Sequence, residues 1–255
     1  MQSFLRLFAC LNSRAVACIM YFEKVCRRRS RELKVIAHIR NDFPEKFGLP
    51  RQSGLVESVT GRIVFEKAYR DPNALRGLEE FSHLWLIWGF SRSEWKTDWS
   101  PTVRPPRLGG NKRMGVFATR APYRPNPIGL SCVKIARIDM DTPEGPVIHV
   151  LGADLMDGTP IYDVKPYLPY SDSRPDAKGG FGEKVLGDTL DVVIPEKLLA
   201  LIPEDKQQAL RDILRGDPRP HYHEDDREYG VRFAALNVRF TVKEHVLTVV
   251  SVTAE

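Results

Sequence analysis

The stretch of the sequence best suited to binding an anion is Arg92–Arg124, which carries eight basic residues against two acidic ones. Six prolines fall between Pro101 and Pro127, and prolines stiffen a long loop by limiting its unfolded conformations. Guanidinium groups donate paired hydrogen bonds to phosphate or carboxylate oxygens. Such a loop suits an RNA backbone or another anionic ligand, and its charge is equally compatible with an ordinary solvated loop.

Two shorter segments are typical of loops that present backbone groups to a ligand. In Gly115–Ser131, a proline-rich turn separates two apolar runs, which favours a preorganised loop. In Leu151–Pro160, Asp154 offers a carboxylate to hydroxyl or ammonium groups, close to the tight-turn pair Asp157–Gly158. A plain hairpin turn with a capping aspartate would explain the second segment equally well.

The common catalytic and metal-binding signatures are missing from the sequence. It has no glycine fingerprint for dinucleotides, no P-loop, no GxSxG serine motif and no HExxH zinc motif. Its four cysteines form no CxxC pair, and His221 and His223 alternate in an acidic loop, a spacing that seldom binds metal. We therefore expect no metal site, no disulfide framework and a reducing, cytoplasmic setting.

Length and charge narrow the class of protein further. The 255 residues suffice for one large domain or for a main domain with a small partner, and no run approaches the ~18 apolar residues of a membrane span. The formal net charge is +5, and residues 1–33, with seven basic and two acidic residues, hold the whole excess. We expect this N-terminal extension to be a disordered tail or the product of a start placed too far upstream, rather than an organellar presequence.

The elements that must position these loops are mostly short strands separated by Gly and Pro. This pattern favours a barrel or sandwich over alternating strands and helices, so we expect a mainly β fold. The predicted strands of the main domain, residues 34–170, are Leu33–Arg40, Leu55–Glu66, His83–Phe90, Met114–Thr119, Leu130–Ile138, Val147–Leu151 and Tyr162–Lys165.

A second, smaller α+β unit is predicted over residues 183–255, after a linker at 171–182 that is rich in Ser, Asp and Gly. Its predicted elements are a strand near Thr189–Ile194, helices at Glu196–Leu201 and Glu204–Arg215, and a hairpin with arms Val231–Val242 and His245–Val252.

Three long segments resemble the TrmO family, also called the YaeB or TsaA-like family. They are Glu45–Gln52, Thr102–Ser131 and Asp154–Pro169, and Asp217–Pro220 and Asn237–Arg239 fit as well. The resemblance implies a non-Rossmann β-barrel with a small C-terminal domain, usually assembled as a homodimer. It also implies an S-adenosylmethionine-dependent methyltransferase that acts on N6 of the threonylcarbamoyl-adenosine beside the tRNA anticodon.

The resemblance also implies where the cofactor binds. Carried onto this sequence, the cofactor contacts are Gln52, Ser53, Gly54, Phe90, Ser91, Arg120, Leu130, Leu151, Gly152, Ala153 and Asp154. Asp154 and Arg120 are suitable residue types for the ammonium and the carboxylate of the methionine part. Ser53 stands where the family often has proline, and we expect this change to loosen the loop.

Other roles are assigned by chemistry within that resemblance. The acceptor nitrogen has an acidic N–H, so we expect catalysis mainly by positioning, with proton loss to water or to Asp163 or Tyr167. The predicted contacts to the anticodon stem-loop are Arg104, Arg107, Lys112, Arg113 and Arg124. Two alternatives stay open at this point: a non-catalytic S-adenosylmethionine-binding module and a plain RNA-binding β-barrel.

Overall fold

The computed structural model describes residues 33–90, 99–105, 112–185, 189–219 and 227–254. Nearly all of the N-terminal extension, residues 1–33, lies outside these ranges. Ser91, Arg107, His221 and His223 also lie outside the described residues, so their predicted roles stay predictions.

A closed barrel of antiparallel strands forms the first half of the described chain. In chain order the strands of this half are β1 (Ala37–Asn41), β2 (Thr60–Phe65), β3 (His83–Gly89), β4 (Thr102–Val103), β5 (Met114–Gly115), β6 (Ile128–Asp139), β7 (Val147–Leu151) and β8 (Pro160–Pro166). The barrel order is β1-β2-β7-β6-β3-β8, and β8 pairs with β1 to close it. Strands β4 and β5 form a separate two-stranded ribbon. The predicted mainly β barrel is thereby confirmed.

The barrel interior is filled by alternate side chains of each strand. On β3, Leu84, Leu86 and Trp88 point inward and are buried, as the two-residue period of a strand requires. The other face of β3 carries Trp85, which is also covered. Its ring lies 5.8 Å from the Tyr167 ring, and its Nε1 donates a hydrogen bond to Asp172. Residues after β8 thus cover the outer face of this strand.

The second unit is a four-stranded sheet against which a helix packs. Its strands are β9 (Asp191–Val193), β10 (Tyr229–Phe233), β11 (Leu236–Lys243) and β12 (Val246–Ala254), in the order β10-β11-β12-β9, with β9 parallel to β12. The helix Glu204–Arg215 matches the predicted range, whereas the shorter helix ends at Leu199 instead of Leu201. Leu210 and Leu214 of the longer helix are fully buried in the core of this unit.

Several predicted strands were too long: those predicted over Leu33–Arg40 and near Thr189–Ile194 begin only at Ala37 and Asp191, and three others differ more. The arm predicted over Val231–Val242 is broken by Ala234 and Ala235, whose φ angles of 53° and 59° lie in the left-handed region that alanine rarely adopts. The strand predicted over Met114–Thr119 ends at Gly115, and Val116–Ala118 forms a 3-10 turn instead.

The third overlong strand, predicted from Leu55, begins only at Thr60 because the preceding residues belong to a loop. That loop, residues 42–59 between β1 and β2, contributes Phe43, Val56 and Val59 to the hydrophobic core of the C-terminal unit. The main domain and the small unit therefore share buried side chains. The predicted boundaries at 170 and 183 stay predictions.

Candidate active site

Two loops meet at one end of the barrel, and their backbones are in direct contact. The Gly54 N–H donates to the Gly152 carbonyl oxygen at 2.9 Å, and the Gly152 N–H donates to the Val59 carbonyl oxygen at 2.9 Å. Gly152 has φ +74°, and a Cβ on it would lie 3.3 Å from the backbone of Gly54. Glycine is thus required at position 152 both for its backbone conformation and for the close approach. The fold joins two segments that the sequence separates by almost a hundred residues.

Ser53 fastens the first of these loops to the barrel wall. Its hydroxyl oxygen accepts a hydrogen bond from the Cys132 backbone N–H on β6 at 3.1 Å. A proline at position 53 could not make this bond, since it has no hydroxyl group. The serine therefore adds one contact to the barrel, and the expected loosening of the loop relative to proline stays a prediction.

Asp154 ends a chain of hydrogen bonds that starts inside the barrel. The Trp88 indole Nε1 donates to the Ser131 hydroxyl at 2.9 Å, and that hydroxyl donates to Asp154 Oδ1 at 2.5 Å. Burial raises the pKa of the Asp154 carboxyl, and the hydrogen bond from Ser131 and the charge of Arg120 oppose that rise only in part. The carboxylate is thus aimed and held by two residues that the sequence analysis did not select.

Arg120 completes the group from the solvent side. Its Nη1 donates to Gln52 Oε1 at 2.5 Å, and its positive charge acts on Asp154. The guanidinium side chain is exposed at this rim of the barrel. Gln52, Arg120 and Asp154 therefore lie together at the rim, and their role as cofactor contacts stays a prediction.

The remaining described members of the predicted set lie around this group. The Phe90 ring packs 4.5 Å from the Trp88 ring, and Leu130, on the strand that carries Ser131, is 51% exposed. Leu151 ends β7, and the Ala153 side chain is fully buried, so that residue can offer only backbone groups. We call the set of Gln52–Gly54, Arg120 and Leu151–Asp154 the rim site.

The rim site has the donor set of an amino-acid-bearing ligand. It combines a carboxylate for an ammonium group, a guanidinium for a carboxylate and glycine backbone in close approach, and Leu130 exposes apolar surface outside this set. These residues fit S-adenosylmethionine, which carries an ammonium group, a carboxylate and apolar surface. Within the described ranges no cluster of three His, Cys, Asp or Glu side chains could hold a metal ion.

Asp163 and Tyr167 lie elsewhere. Asp163 pairs with Lys165 at 2.8 Å and lines a pocket formed with apolar residues such as Phe65 and Leu78. The Tyr167 ring packs against the rings of His83 and Trp85. In the described structure no hydrogen bond, ion pair or ring contact joins either side chain to the rim site, and their predicted role as a base stays a prediction.

The predicted RNA contacts divide into two kinds. Arg104, Lys112 and Arg113 are exposed on or beside the ribbon β4–β5. Arg124 is instead half-buried, because its Nη1 donates to the Thr119 carbonyl oxygen at 2.8 Å and its guanidinium carbon lies 5.8 Å from the Phe117 ring centre. Arg124 therefore braces its own turn.

Ser131 and Trp88 were missed although the sequence holds a signal for Ser131. On β6 the inward positions alternate, and Ser131 is a hydroxyl among apolar inward neighbours with 1% of its surface exposed. A polar residue at an inward strand position needs a buried partner. The sequence could not show that the partner is Asp154, since strand closure decides it.

The fold and the rim site together describe a class of protein: a closed β-barrel whose candidate ligand-binding groups lie on the loops at one end of the barrel. The family model described as tRNA-methyltransferase O N-terminal domain matches residues 38–173, and the TrmO C-terminal domain matches residues 190–255. The chain belongs to the tRNA-methyltransferase O (TrmO) family. The resemblance noted in the sequence is confirmed.

Relatives and a solved structure agree with this assignment. The Escherichia coli protein named tRNA (adenine(37)-N6)-methyltransferase is 42% identical over 223 residues, which cover 84% of this chain and 94% of that protein. A Pyrococcus abyssi protein named as a probable S-adenosyl-L-methionine-binding protein is 35% identical over 149 residues, covering 58% and 74%. The crystal structure of TrmO from Pseudomonas aeruginosa superposes with a TM-score of 0.69 at 30% identity, covering 88% of this chain and all of that one.

The part of the chain that the structure describes contains no helix that is long and apolar enough to cross a membrane.

Proposed function

We propose that this tRNA methyltransferase transfers a methyl group from S-adenosylmethionine to N6 of adenine 37, and that the acceptor is threonylcarbamoyl-adenosine. The observation that carries the proposal is the rim site, where Asp154, Arg120 and the Gly54–Gly152 contact supply the groups the cofactor needs. The names of the relatives support the adenine-37 position and the cofactor.

The rim residues divide the work of holding the cofactor. When bound, S-adenosylmethionine supplies an electrophilic methyl group on a positively charged sulfur. The Asp154 carboxylate accepts from the ammonium group of the ligand, and the exposed Arg120 guanidinium pairs with the carboxylate of the ligand. Leu130 covers an apolar part of the ligand, since half of its surface is open to solvent.

The acceptor explains why a strong base is unnecessary. The purine ring and the carbamoyl group both withdraw electrons from N6, so its N–H is more acidic than in adenosine. We propose that the protein acts mainly by positioning N6 in line with the methyl group and that the proton leaves to water. Asp163 and Tyr167 remain the side chains to test as an alternative base.

The tRNA is proposed to approach across the ribbon β4–β5. Arg104, Lys112 and Arg113 present exposed cations there, and phosphate contacts of this kind supply most of the affinity for RNA. Arg107, which lies outside the described residues, remains a predicted tRNA contact, and Arg124 would act by bracing its turn. We propose that the substrate is the anticodon stem-loop of tRNA and that the reaction takes place in the cytoplasm.

We also propose a homodimer that covers the apolar surface beside the rim site. Trp99, Phe117 and Tyr123 are each about half or more exposed, and the rings of Trp99 and Phe117 stack at 5.7 Å. Exposed apolar patches of this kind usually mark an interface. Analytical ultracentrifugation would test it: a monomer at micromolar concentration, or an unaltered dimer in Phe117→Glu, would contradict this surface.

The experiment that tests the function is methyl transfer to defined tRNAs. Purified protein is incubated with labelled S-adenosylmethionine and with one tRNA carrying or lacking threonylcarbamoyl at position 37, and the nucleosides are analysed by mass spectrometry. We expect one methyl group on N6 of the modified nucleoside and little transfer to the unmodified tRNA. Cofactor binding without transfer to either tRNA would favour the non-catalytic module, and the absence of cofactor binding would favour a plain RNA-binding barrel.

A further inference from the structure

The loop that carries Gln52–Gly54 packs against the C-terminal unit as well as against the barrel. Phe43 is fully buried there, and its ring lies 5.2 Å from that of Phe233 on β10. Gly48, with φ +89°, lies so close to Val231 that a Cβ would be 2.7 Å from the Val231 side chain. Val56 and Val59 pack into the same core. The loop therefore rests on a surface that the barrel itself does not supply.

Polar contacts fix the same loop at intervals to the C-terminal unit. Near its start, Lys206 Nζ lies 2.6 Å from Asp42 Oδ2, and near its end the Ser58 hydroxyl donates to Asp212 Oδ2 at 2.5 Å. Between these two contacts, Arg51 Nη2 donates to the carbonyl oxygens of Asp217 and Arg219 at 2.5 and 3.3 Å. Arg51 directly precedes the first residue of the rim site.

The acceptor of the Arg51 bonds is a rigid turn. Asp217 has φ +46°, and its carboxylate accepts from the Arg219 guanidinium at Nε and Nη2, at 2.9 and 3.0 Å. Both side chains are about 15% exposed, so this paired interaction is shielded from solvent and holds the two carbonyl oxygens towards Arg51. A guanidinium that bonds two such oxygens has little freedom to move.

On its other side the loop contacts the barrel rim through consecutive residues. Gln52 accepts from Arg120, Ser53 accepts from Cys132, and Gly54 donates to Gly152. A loop held on one side only could shift these three contacts together. Arg51 supplies the constraint from the opposite side, one residue away.

We propose that the C-terminal unit is a positioning element of the cofactor site, and that Arg51 is the positioning residue through which it fixes Gln52–Gly54. This inference rests on the proposed binding of S-adenosylmethionine at the rim site. Arg51 itself touches neither substrate nor cofactor in this scheme, because its donor bonds are directed to the Asp217–Arg219 turn. The small unit thus acts on the reaction through the geometry of one loop.

The test compares two variants of the full chain that each remove one contact between the loop and the C-terminal unit. Arg51→Met removes the bonds beside Gln52, and Lys206→Met removes the ion pair at the far end of the loop. Affinity for S-adenosylmethionine is measured by calorimetry and stability by thermal unfolding. We expect Arg51→Met to weaken binding about 10- to 50-fold, and Lys206→Met to lower the melting temperature with binding changed less than about twofold.

Hydrogen exchange supplies a readout without cofactor or activity. In Arg51→Met we expect faster exchange of the Gly54 amide, which bonds to Gly152, while amides of the helix Glu204–Arg215 keep their protection. Arg51→Lys keeps one donor and should recover part of both the affinity and the protection. If Arg51→Met fails to fold, Arg51→Lys is compared with the wild type by the same two measurements.

The outcomes separate this inference from the proposed function. Equal losses of affinity in Arg51→Met and Lys206→Met would mean that Arg51 acts only through stability, and would overturn the inference. Wild-type affinity with wild-type exchange at Gly54 in the Arg51 variants would overturn it as well. If the wild-type protein itself fails to bind S-adenosylmethionine, the proposed cofactor fails first, and the inference with it.

Discussion

At the rim of the barrel, Gly152 approaches the backbone of Gly54 so closely that a single added carbon would be 3.3 Å away, whereas Arg104, Lys112 and Arg113 extend from the ribbon into solvent. The first region is bound together by hydrogen bonds from three separate segments of the chain. The second region consists of exposed cationic side chains, and for attraction of a polyanion their total charge matters more than their exact positions.

The difference matches the two ligands of the proposed reaction. A small cofactor loses affinity when its polar partners shift by a fraction of an ångström, so its site must be preorganised. A polyanion is attracted mainly by the release of counterions, which depends on the number of cations and on salt. Changes at the rim site should therefore be large and specific, and changes at the ribbon small and salt-dependent.

The largest effect is expected at Gly152. Gly152→Ala places a Cβ 3.3 Å from the Gly54 backbone at a residue with φ +74°, and we expect about a hundredfold loss of S-adenosylmethionine affinity because the strained residue and the shifted loop displace the groups that contact the cofactor. Gly77→Ala is the matched control, since Gly77 also has a positive φ but no atom within 4 Å of an added Cβ. Calorimetry checks both variants. Wild-type affinity in Gly152→Ala would contradict this expectation, and an equal loss in Gly77→Ala would show that the effect is not specific to the rim site.

Asp154→Asn should have the next largest effect. The substitution removes the charged partner of the ammonium group, and we expect it to weaken binding of S-adenosylmethionine by about 2 kcal/mol, or about 30-fold. Asp163→Asn serves as the control, because Asp163 lies outside the rim site and pairs with Lys165. Unchanged binding in Asp154→Asn would exclude Asp154 as a cofactor contact, and a large fall in kcat in Asp163→Asn would identify a base.

The exposed cations should give a smaller effect of a different kind. We expect the triple change of Arg104, Lys112 and Arg113 to alanine to raise the KM for tRNA about tenfold and to reduce the salt dependence of binding by about three phosphate contacts. Calorimetric affinity for S-adenosylmethionine should stay at the wild-type value. A loss of cofactor affinity in this variant would erase the distinction between the two regions.

The smallest effect concerns Ser131 and is seen as a pH shift. The pKa of Asp154 is already raised by burial, and Ser131→Ala removes the hydrogen bond that opposes this rise. The midpoint below which S-adenosylmethionine affinity falls should therefore move to higher pH. Titration by calorimetry checks it, and Cys132→Ser, on the neighbouring outward position, should leave the midpoint in place.

The free energy of unfolding should depend on pH in the opposite direction to cofactor affinity, over the same pH range. A carboxyl whose pKa is higher in the folded than in the unfolded protein binds its proton more tightly when folded, so protonation favours folding. The contribution of Asp154 to stability should increase as pH falls through its raised pKa towards the ordinary value of 3.8, while cofactor affinity decreases. Asp154→Asn should abolish both trends in thermal unfolding and calorimetry, and their persistence would assign them to another group.

Much of the fold follows from local patterns. The apolar runs of β3 and β7 predict buried strands, and the amphipathic spacing of Ala209, Leu210, Ile213 and Leu214 predicts the helix Glu204–Arg215. The Ala234–Ala235 turn could not be predicted, because its left-handed backbone is imposed by strand pairing on residues that do not prefer it. The loop before β2 was misassigned because its apolar residues serve the core of a different unit.

The resemblance to the TrmO family implied the candidate cofactor contacts. The sequence by itself determined the mainly β class, the absence of a dinucleotide fingerprint and the segregation of net charge outside the main domain. These properties depend on composition, periodicity and motif spacing, which act locally along the chain. Only the tertiary structure decided that Ser131 and Trp88 hold Asp154, that Ser53 anchors its loop and that Arg51 contacts a turn 166 residues away. Such contacts depend on barrel closure and on the shared core, and therefore on distances in space that no local pattern contains.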